Sequence, residues 1–419
     1  MRNIKEAIAY IEDKGWSTVN FGLSRTRHLL AALGSPQSDL RFVHVAGSNG
    51  KGSTCAMLEA ILRAQGYKTG LYISPYIQKF NERIQVNGVC IPDDRLLEII
   101  ERVVAIADAM EDAPTHFEIV TAMGMLYFAE EACDIVVLEV GMGGELDSTN
   151  VIGAPEAAVI TNIGFEHTQW LGSSLGEIAA AKAGIIKKGC RAVCYDGAPE
   201  VTELIKDVCL KREVPLRIAD FSELQLLDES LAGQRFIYRD REYNLALLGR
   251  HQLFNAALAL ETVEALREGG RRIDEEAVRR GLMSVKWPAR LELLSRDPLF
   301  LLDGGHNPQC IEALTQSLLS LVPGQRFSVV AGVLSDKDYA NMMDLLMPFA
   351  ARFFCLTPES PRALDSDELC GYLRGKGAEA RSFHFDVEAA IEKARGYAEP
   401  ILAVGSLYLA GKIRDIVEP

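Results

Sequence analysis

The sequence predicts two α/β domains, the larger one built on a doubly wound, mostly parallel sheet that contains a phosphate-binding loop. Three observations lead to this prediction. Short runs rich in β-branched residues, apolar on both faces, alternate with longer helical stretches, as buried parallel strands alternate with helices. A glycine-rich turn with a lysine joins the first of these runs to a helix. The same alternation starts again in the last third of the 419 residues, which predicts a smaller, Rossmann-like C-terminal domain.

Composition and charge exclude several classes of protein. Hydrophobic residues make up 48% and charged residues 24% of the chain, as in ordinary globular proteins. The formal net charge of -14 argues against nucleic acid or an anionic membrane as the main partner, because both need a basic face. No apolar run approaches the roughly 18 residues that cross a bilayer, and the amino-terminal helix is charged rather than signal-like. We therefore expect a cytoplasmic protein with no membrane partner.

The nine cysteines are scattered at irregular spacing. The closest pair, Cys190 and Cys194, lacks the CxxC form and the second ligand pair that a zinc site requires. We expect reduced thiols, as is usual in the cytosol.

The predicted strands of the first domain lie between Arg41 and about Lys187, in RFVHVAG, KTGLYIS, CDIVVLEVG and AAVITNIG. Helices are expected between them, as in STCAMLEAILRAQG and THFEIVTAMGMLYFAEEA. Short strands and charged loops follow and close with the hairpin RFIYRDREYNLAL. After another helix, Trp287 and Pro288 interrupt the pattern. We place the domain boundary near residue 295, so that the domains are 1–295 and 296–419.

The turn after the first strand has the chemistry of a phosphate loop. Its glycines let the backbone approach a phosphate, the N–H groups of the helix expected to begin near Ser53 point at it, and Lys51 adds a positive charge. The hydroxyl of Ser53 or Thr54 is placed to meet a phosphate or its magnesium. The spacing departs from GxxxxGK[ST], and a purely structural glycine turn is the alternative. The residues concerned are Gly47, Ser48, Asn49, Gly50, Lys51, Gly52, Ser53 and Thr54.

Two later strand ends supply a carboxylate and an imidazole. Glu139 ends one apolar strand, and His167 follows the next. Taken singly, the two residues are better read as a capping glutamate and a core histidine. In a parallel sheet, however, both face the phosphate loop, which favours coordination of magnesium.

At this point the chain resembles a known family. The motifs GSNGKGS, YISP, LEVGMGGELDSTN, ITNIGFEH, AAKAGIIK, LFNAALAL, WPARLE and DGGHNP occur in the order and approximate spacing of folylpolyglutamate synthases, including the bifunctional dihydrofolate synthases, of the Mur ligase superfamily. The resemblance covers roughly residues 20 to 340, and the tail GSLYLAGKIR is similar too.

The resemblance implies a magnesium site and a modified lysine. Ser74, together with Glu139 and His167, would hold Mg²⁺. Lys182 matches a lysine that the family carbamylates, which would turn a cation into an anionic metal ligand. The alternative for Lys182 is an ordinary lysine on a helix surface.

The resemblance also implies contacts to ATP and to the substrate. Asn255, Arg290 and Asp303 match residues that contact ATP, with an Arg290–Asp303 interdomain salt bridge as the alternative. The residues implied as catalytic are Lys51, Lys182, Asp303 and His306, with Asn307 beside the last. The pterin-containing substrate would meet Gly22, Leu23, Ser24, Arg25, Glu145, Leu146, Asp147 and Ser148.

Two residues depart from the family pattern. Ser48 replaces the usual threonine of the phosphate loop and keeps the hydroxyl. Tyr76 stands where histidine is common, so a role there that needs an imidazole is in doubt.

The implied reaction is ATP-dependent addition of L-glutamate to the carboxylate of a folate, or to dihydropteroate, through an acyl phosphate. A cell-wall Mur ligase would use the same chemistry on another substrate, but the GKGS form, LEVGMGG and DGGHNP favour the folate branch. An ATP-driven switch would share the loop without needing DGGHNP, and a non-catalytic nucleotide-binding module would leave many polar strand ends without a purpose. The resemblance favours a monomer.

Overall fold

The structure is a computed structural model and describes residues 3–14 and 22–417. The chain forms two compact units. The first comprises Met1–Leu224, Tyr238–Tyr243 and Phe254–Val285, and the second Gln225–Ile237, Asn244–Leu253 and Lys286–Pro419. The division into 1–295 and 296–419 stays a prediction. In the structure, the chain passes between the two units several times before Lys286.

The strands, in chain order, are β1 (Phe42–Ala46), β2 (Thr69–Tyr72), β3 (Ile84–Val86), β4 (Val89–Cys90), β5 (Ile135–Glu139), β6 (Ala157–Ile160), β7 (Arg191–Tyr195), β8 (Leu216–Ala219), β9 (Leu224–Ser230), β10 (Gly233–Tyr238), β11 (Arg241–Leu245), β12 (Glu292–Arg296), β13 (Leu299–Asp303), β14 (Phe327–Ala331), β15 (Ala350–Cys355), β16 (Ala380–Ser382) and β17 (Ile401–Val404).

The α-helices are α1 (Ile4–Glu12), α2 (Ser24–Ala32), α3 (Lys51–Gln65), α4 (Asp93–Ala107), α5 (His116–Glu130), α6 (Thr168–Leu171), α7 (Leu175–Ala183), α8 (Pro199–Arg212), α9 (Arg250–Glu268), α10 (Glu275–Ser284), α11 (Pro308–Leu321), α12 (Tyr339–Leu346), α13 (Ser366–Gly375), α14 (Val387–Arg395) and α15 (Leu407–Val417).

The first unit is organised around an eight-stranded sheet of order β4-β3-β2-β5-β1-β6-β7-β8. The six strands from β2 to β8 in that order run parallel, and β3 and β4 add an antiparallel edge. Successive parallel strands lie on both sides of β1, so the sheet is doubly wound, as predicted. Val45 is in register with Glu139 and with Val159. The carboxyl ends of β1, β5 and β6 therefore meet at one edge, where such sheets bind ligands.

The core of this unit explains the apolar character of its strands. Every residue of β1 and β5 is buried. One cluster of buried side chains joins the strands to helices α4 and α5, and a second joins them to α7 and α8. A strand covered on both faces loses its exposed surface entirely, which favours continuous runs of Val, Ile and Leu.

The second unit contains a six-stranded sheet of order β12-β13-β17-β14-β15-β16. Its strands are parallel except β12, which pairs antiparallel with β13. Its core is a cluster of buried residues from β13, β14, β15, β17 and the helices that cover them. The predicted smaller α/β fold is confirmed.

The hairpin expected in RFIYRDREYNLAL is formed by β10 and β11, within a three-stranded sheet of order β11-β10-β9. The turn residues Arg239 and Asp240 have φ of 49° and 60°. Positive φ at both turn positions matches the twist of a two-residue hairpin. None of the helices in the described part of the chain is both long and apolar enough to cross a membrane.

Candidate active site

The predicted phosphate loop connects β1 to α3, and its glycines are required by geometry. Gly47 has φ of 152°, and a Cβ on it would lie 1.7 Å from the Thr161 side-chain oxygen. Gly50 has φ of 87°, and a Cβ there would lie 2.5 Å from the Asn255 side-chain oxygen. The helix begins at Lys51, not near Ser53, because Gly50 already supplies the left-handed turn before it. The loop backbone is thus available for close approach to a ligand.

The phosphate loop is tied to the segment that follows β6. The Ser48 hydroxyl donates to the Gly164 carbonyl oxygen at 2.9 Å and accepts from the Gly164 N–H at 3.0 Å. The Ser48 N–H donates to the Asn162 carbonyl oxygen at 2.8 Å, and the Thr161 hydroxyl donates to the Asn49 carbonyl oxygen at 2.8 Å. The serine that departs from the family pattern therefore joins two loops of the site.

Two lysines converge on one carbonyl of the loop. Lys51 Nζ donates to the Gly47 oxygen at 2.8 Å and to the Ser48 oxygen at 3.3 Å. Lys182 Nζ donates to the same Gly47 oxygen at 2.9 Å. Two ammonium groups at one turn create a local positive potential in a chain whose net charge is -14. An anionic ligand can be held here despite the acidic surface.

Lys182 is a buried residue with an acidic partner. Its side chain is 1% exposed and lies 2.5 Å from a carboxylate oxygen of Glu166, so the helix-surface interpretation of Lys182 is wrong. Burial lowers the pKa of Lys182 to about 8, although Glu166 raises it. Burial raises the pKa of Glu166, but the charges of Lys51 and Lys182 prevail and lower it to about 2. Glu166 was not among the predicted site residues. The only sign in the sequence is its position directly before His167.

Ser74 and Glu139 lie together, as the magnesium prediction requires. The Ser74 N–H donates to a Glu139 carboxylate oxygen at 3.2 Å, and Glu139 is buried at the end of β5. His167 follows β6 and precedes α6, with φ of 47°. No group of three or more His, Cys, Asp and Glu residues suited to a metal lies within residues 3–14 and 22–417. A buried carboxylate beside a serine still suits Mg²⁺, which usually keeps several waters and takes only one or two protein carboxylates.

Some of the residues predicted to meet the pterin-containing substrate are buried, and others are exposed to solvent. Arg25 is buried, and its Nε lies 3.0 Å from a Glu118 carboxylate oxygen. Glu145 and Leu146 are exposed, and Leu146 keeps 48% of its surface. Asp147 and Ser148 are buried beneath them. In this loop, two side chains are therefore accessible to a ligand, and the next two are buried. Gly22 and Leu23 precede α2, and Ser24 is its first residue.

In the second unit, the predicted residues cluster at the end of β13. Asp303 is buried and accepts hydrogen bonds from the N–H groups of Leu291 at 2.8 Å and Gly305 at 2.7 Å. Burial raises the pKa of Asp303, although Arg290 and these hydrogen bonds lower it. His306 Nδ1 lies 3.0 Å from the Gly304 carbonyl oxygen.

Two further residues of this group hold the turns around them. Arg290 donates to the Ala289 oxygen at 3.0 Å. Asn307 caps α11 by accepting from the Cys310 N–H at 2.8 Å. The DGGHNP turn is thus a preorganised polar strand end.

Comparison with known proteins agrees with this geometry. Residues 45–263 match the Mur ligase middle domain, and residues 289–407 match the Mur ligase, glutamate ligase domain. The chain is 37% identical over 422 residues to the dihydrofolate synthase/folylpolyglutamate synthase of Bacillus subtilis, covering 98% of each chain. The chain belongs to the folylpolyglutamate synthase family of Mur ligases.

Solved structures of this family have the same fold. Mycobacterium tuberculosis folylpolyglutamate synthase, crystallised with ADP and AMPPCP, matches with a TM-score of 0.89 at 32% identity over 100% of this chain and 99% of that one. Escherichia coli FolC, crystallised with DHPP and ADP, matches with a TM-score of 0.85 at 30% identity over 99% and 98%. The predicted family and fold are confirmed, and these folylpolyglutamate synthases favour the folate branch over the cell-wall alternative. The individual site residues stay predictions.

Proposed function

We propose that this folylpolyglutamate synthase family member uses ATP to join L-glutamate to the carboxylate of a folate, and that dihydropteroate is its second possible acceptor. The observation that carries the proposal is the Lys51 ammonium group on the Gly47 carbonyl, in the glycine turn at the carboxyl edge of the sheet. This is where a nucleotide phosphate binds in doubly wound folds. Related enzymes from Mycobacterium tuberculosis and Escherichia coli were crystallised with ADP, which supports nucleotide binding by this chain.

The reaction needs ATP because a carboxylate does not accept an amine until one of its oxygens becomes a good leaving group. An acceptor carboxylate oxygen attacks the γ-phosphorus, its bond forms as the bond to ADP breaks, and an acyl phosphate results. The amine of glutamate then attacks the acyl carbon, inorganic phosphate leaves, and the amine loses a proton. Positioning and charge neutralisation dominate such transfers, and Lys51 supplies a fixed positive charge for the phosphates.

A magnesium ion fits the residues at this edge of the sheet. We propose that Ser74, Glu139 and His167 hold it, with Glu139 contributing the anionic oxygen. When bound, Mg²⁺ neutralises phosphate charge. Asn255, Arg290, Asp303 and His306 are further proposed nucleotide-site residues, as the family resemblance implies.

The carbamylation of Lys182 implied by the resemblance is a separate part of the proposal. The pKa of about 8 leaves a usable fraction of neutral amine for reaction with CO₂. A carbamate would repel Glu166, so the modified residue and the ion pair exclude each other. Carbon-13 NMR of native protein in ¹³C-bicarbonate distinguishes them: a carbamate resonance that is absent in Lys182→Met supports modification, and its absence in the native protein refutes it.

We further propose that the protein works as a cytoplasmic monomer. All nine cysteines are free thiols, seven of them buried, which suits a reducing compartment. Gel filtration at micromolar concentration tests the monomer.

The test of the function is ADP release from purified protein given ATP and magnesium, with glutamate, with a reduced folate or dihydropteroate, and with both. ADP that appears only when both co-substrates are present supports the ligase. ADP release that does not depend on glutamate refutes it. A mass increase of one glutamyl residue on the acceptor identifies the product.

A further inference from the structure

A histidine lies where the core of the sheet would be expected to be apolar. His44 is the central residue of β1, three positions before the phosphate loop, and it is fully buried between Val43 and Val45, which are also fully buried. A polar ring in such a place is unfavourable unless it makes a hydrogen bond. His44 has no part in the function described above, so its presence needs an explanation.

The ring is joined to the substrate loop through one hydroxyl. His44 Nε2 lies 2.9 Å from Thr149 Oγ1, and Thr149 Oγ1 donates to Asp147 Oδ1 at 2.6 Å. The single Thr149 hydroxyl proton is directed to the carboxylate, so the Thr149 oxygen must accept from His44. The hydrogen bonds therefore require a proton on Nε2.

The other ring nitrogen of His44 makes no hydrogen bond to the described residues in this arrangement. Nδ1 of His44 is buried and has no hydrogen-bond partner within the described ranges. A leucine or valine would avoid that loss. The Nε2 hydrogen bond is what the imidazole provides in place of that apolar packing. Burial lowers the pKa of His44 to about 3, with a further contribution from Lys187, which keeps the ring neutral and therefore leaves Nδ1 without a proton when Nε2 carries one.

The carboxylate at the end of this chain holds the shape of the loop. Asp147 accepts from the Met142 N–H at 2.9 Å and from the Thr149 N–H at 3.0 Å, in addition to the Thr149 hydroxyl. It thus connects the two ends of the turn that carries the exposed Glu145 and Leu146. The orientation of these two side chains depends on that carboxylate.

A second buried chain supports the neighbouring residue. Thr121 donates its proton to the Phe117 carbonyl oxygen at 2.8 Å. Its own oxygen therefore accepts from Ser148 at 2.8 Å and from the Tyr72 hydroxyl at 3.2 Å. Buried polar side chains of the sheet thus support both residues. His44 of β1 acts on Asp147 through Thr149, and Tyr72 of β2 acts on Ser148 through Thr121.

We infer that His44 is a positioning residue for the pterin-containing substrate, which it serves by orienting Asp147 through Thr149. The inference rests on the proposed function, because it takes the loop of residues 145–148 as the substrate-binding loop. Since β1 also leads into the phosphate loop, the same strand sets the placement of both the nucleotide and the acceptor. His44 touches neither of them itself.

The kinetic test uses two matched pairs of variants. His44→Leu removes the donor, whereas His44→Gln keeps an N–H near the position of Nε2. Thr149→Val removes the hydroxyl, whereas Thr149→Ser keeps it. We expect His44→Leu and Thr149→Val to raise the KM for the pterin-containing substrate about tenfold, since one hydrogen bond is worth about one order of magnitude in an equilibrium constant. The KM for ATP should change less than about twofold, and the two conservative variants should recover most of the loss.

A spectroscopic test is independent of turnover. In wild-type protein with ¹⁵N-labelled histidine, long-range ¹H–¹⁵N spectra should show His44, assigned with His44→Gln, as the neutral tautomer protonated at Nε2. Protonation at Nδ1 would overturn the inference even if a variant failed to fold. So would equal increases in the KM for ATP and for the acceptor, or no increase in either. If the wild-type protein shows no glutamate-dependent ADP release, the proposed function fails, while the tautomer result still decides whether the His44–Thr149–Asp147 chain exists.

Discussion

Replacing Gly47 by alanine tests the geometry of the phosphate loop most directly. The added Cβ would lie 1.7 Å from Thr161 Oγ1 and 2.9 Å from Thr161 Cβ, far inside van der Waals contact. The backbone φ of 152° is also a value that side chains with a Cβ rarely adopt. The Thr161 hydroxyl cannot move freely, because it donates to the Asn49 carbonyl oxygen at 2.8 Å.

Two contributions determine the expected magnitude. Overpacking in a close-packed region costs about 1–3 kcal/mol, and an unfavourable backbone conformation costs about 1–3 kcal/mol. We therefore expect Gly47→Ala to lower the free energy of unfolding by about 2–6 kcal/mol. Nucleotide affinity should fall as well, because relief of the clash displaces the loop from the segment after β6.

The assay is urea unfolding, paired with ADP titration, and the chain offers two controls. A Cβ on Gly66, where φ is 100°, or on Gly176 in α7 would meet no atom within 4 Å. Gly66→Ala carries the backbone cost alone, about 1–2 kcal/mol. Gly176→Ala carries neither and should change stability by less than about 1 kcal/mol.

A double variant separates the clash from the backbone cost. Gly47→Ala with Thr161→Ala removes the closest atom, so it should be more stable than the sum of the single changes predicts. If Gly47→Ala is no less stable than Gly66→Ala and binds ADP like wild type, the close approach of Gly47 to Thr161 is refuted.

Three more predictions concern charged groups. Lys51→Ala should lower turnover about a hundredfold or more while the protein stays folded, as a cooperative thermal transition would show, since a charge-stabilising donor is lost; a wild-type rate would show that the phosphates bind elsewhere. Because the folded pKa of Glu166 is about 2, below its ordinary value of 4.5, its interactions with Lys51 and Lys182 stabilise the fold above about pH 4.5, and this stabilisation is lost as the pH falls toward 2. Glu166→Gln should remove that part of the acid dependence in unfolding experiments between pH 6 and 3, and an unchanged profile would contradict it. Arg25→Leu leaves the buried Glu118 without its ion-pair partner, so unfolding should become about 3 kcal/mol easier, whereas Arg102→Leu, in an exposed pair, should change it by less than about 1 kcal/mol; equal effects would contradict the role of burial.

Several features were predictable because they depend on residues close together in the chain. Buried parallel strands need continuous apolar runs, and those runs located β1, β2, β5 and β6. The hairpin of β10 and β11 followed from its short polar turn. The helix expected to begin near Ser53 begins two residues earlier, at Lys51, because the left-handed conformation of Gly50 ends the loop there.

Other features depend on segments that are distant in the chain. Lys182 was expected on a helix surface if unmodified, but the packing of α7 beneath the phosphate loop buries it against Glu166. His44 has no local partner in the sequence, because Thr149 is 105 residues away. Neither pairing has a local pattern that could reveal it.

The sequence by itself predicts where a phosphate binds. Glycines at Gly47 and Gly50 and the charge of Lys51 act within a few residues, so their pattern carries their function. Only the tertiary structure decided which ammonium and carboxylate groups lie together at the phosphate loop, and which buried side chains hold the loop of residues 145–148. The physical reason is that a buried charge or imidazole is tolerated only beside a suitable partner, and that partner is chosen by the packing of strands and helices.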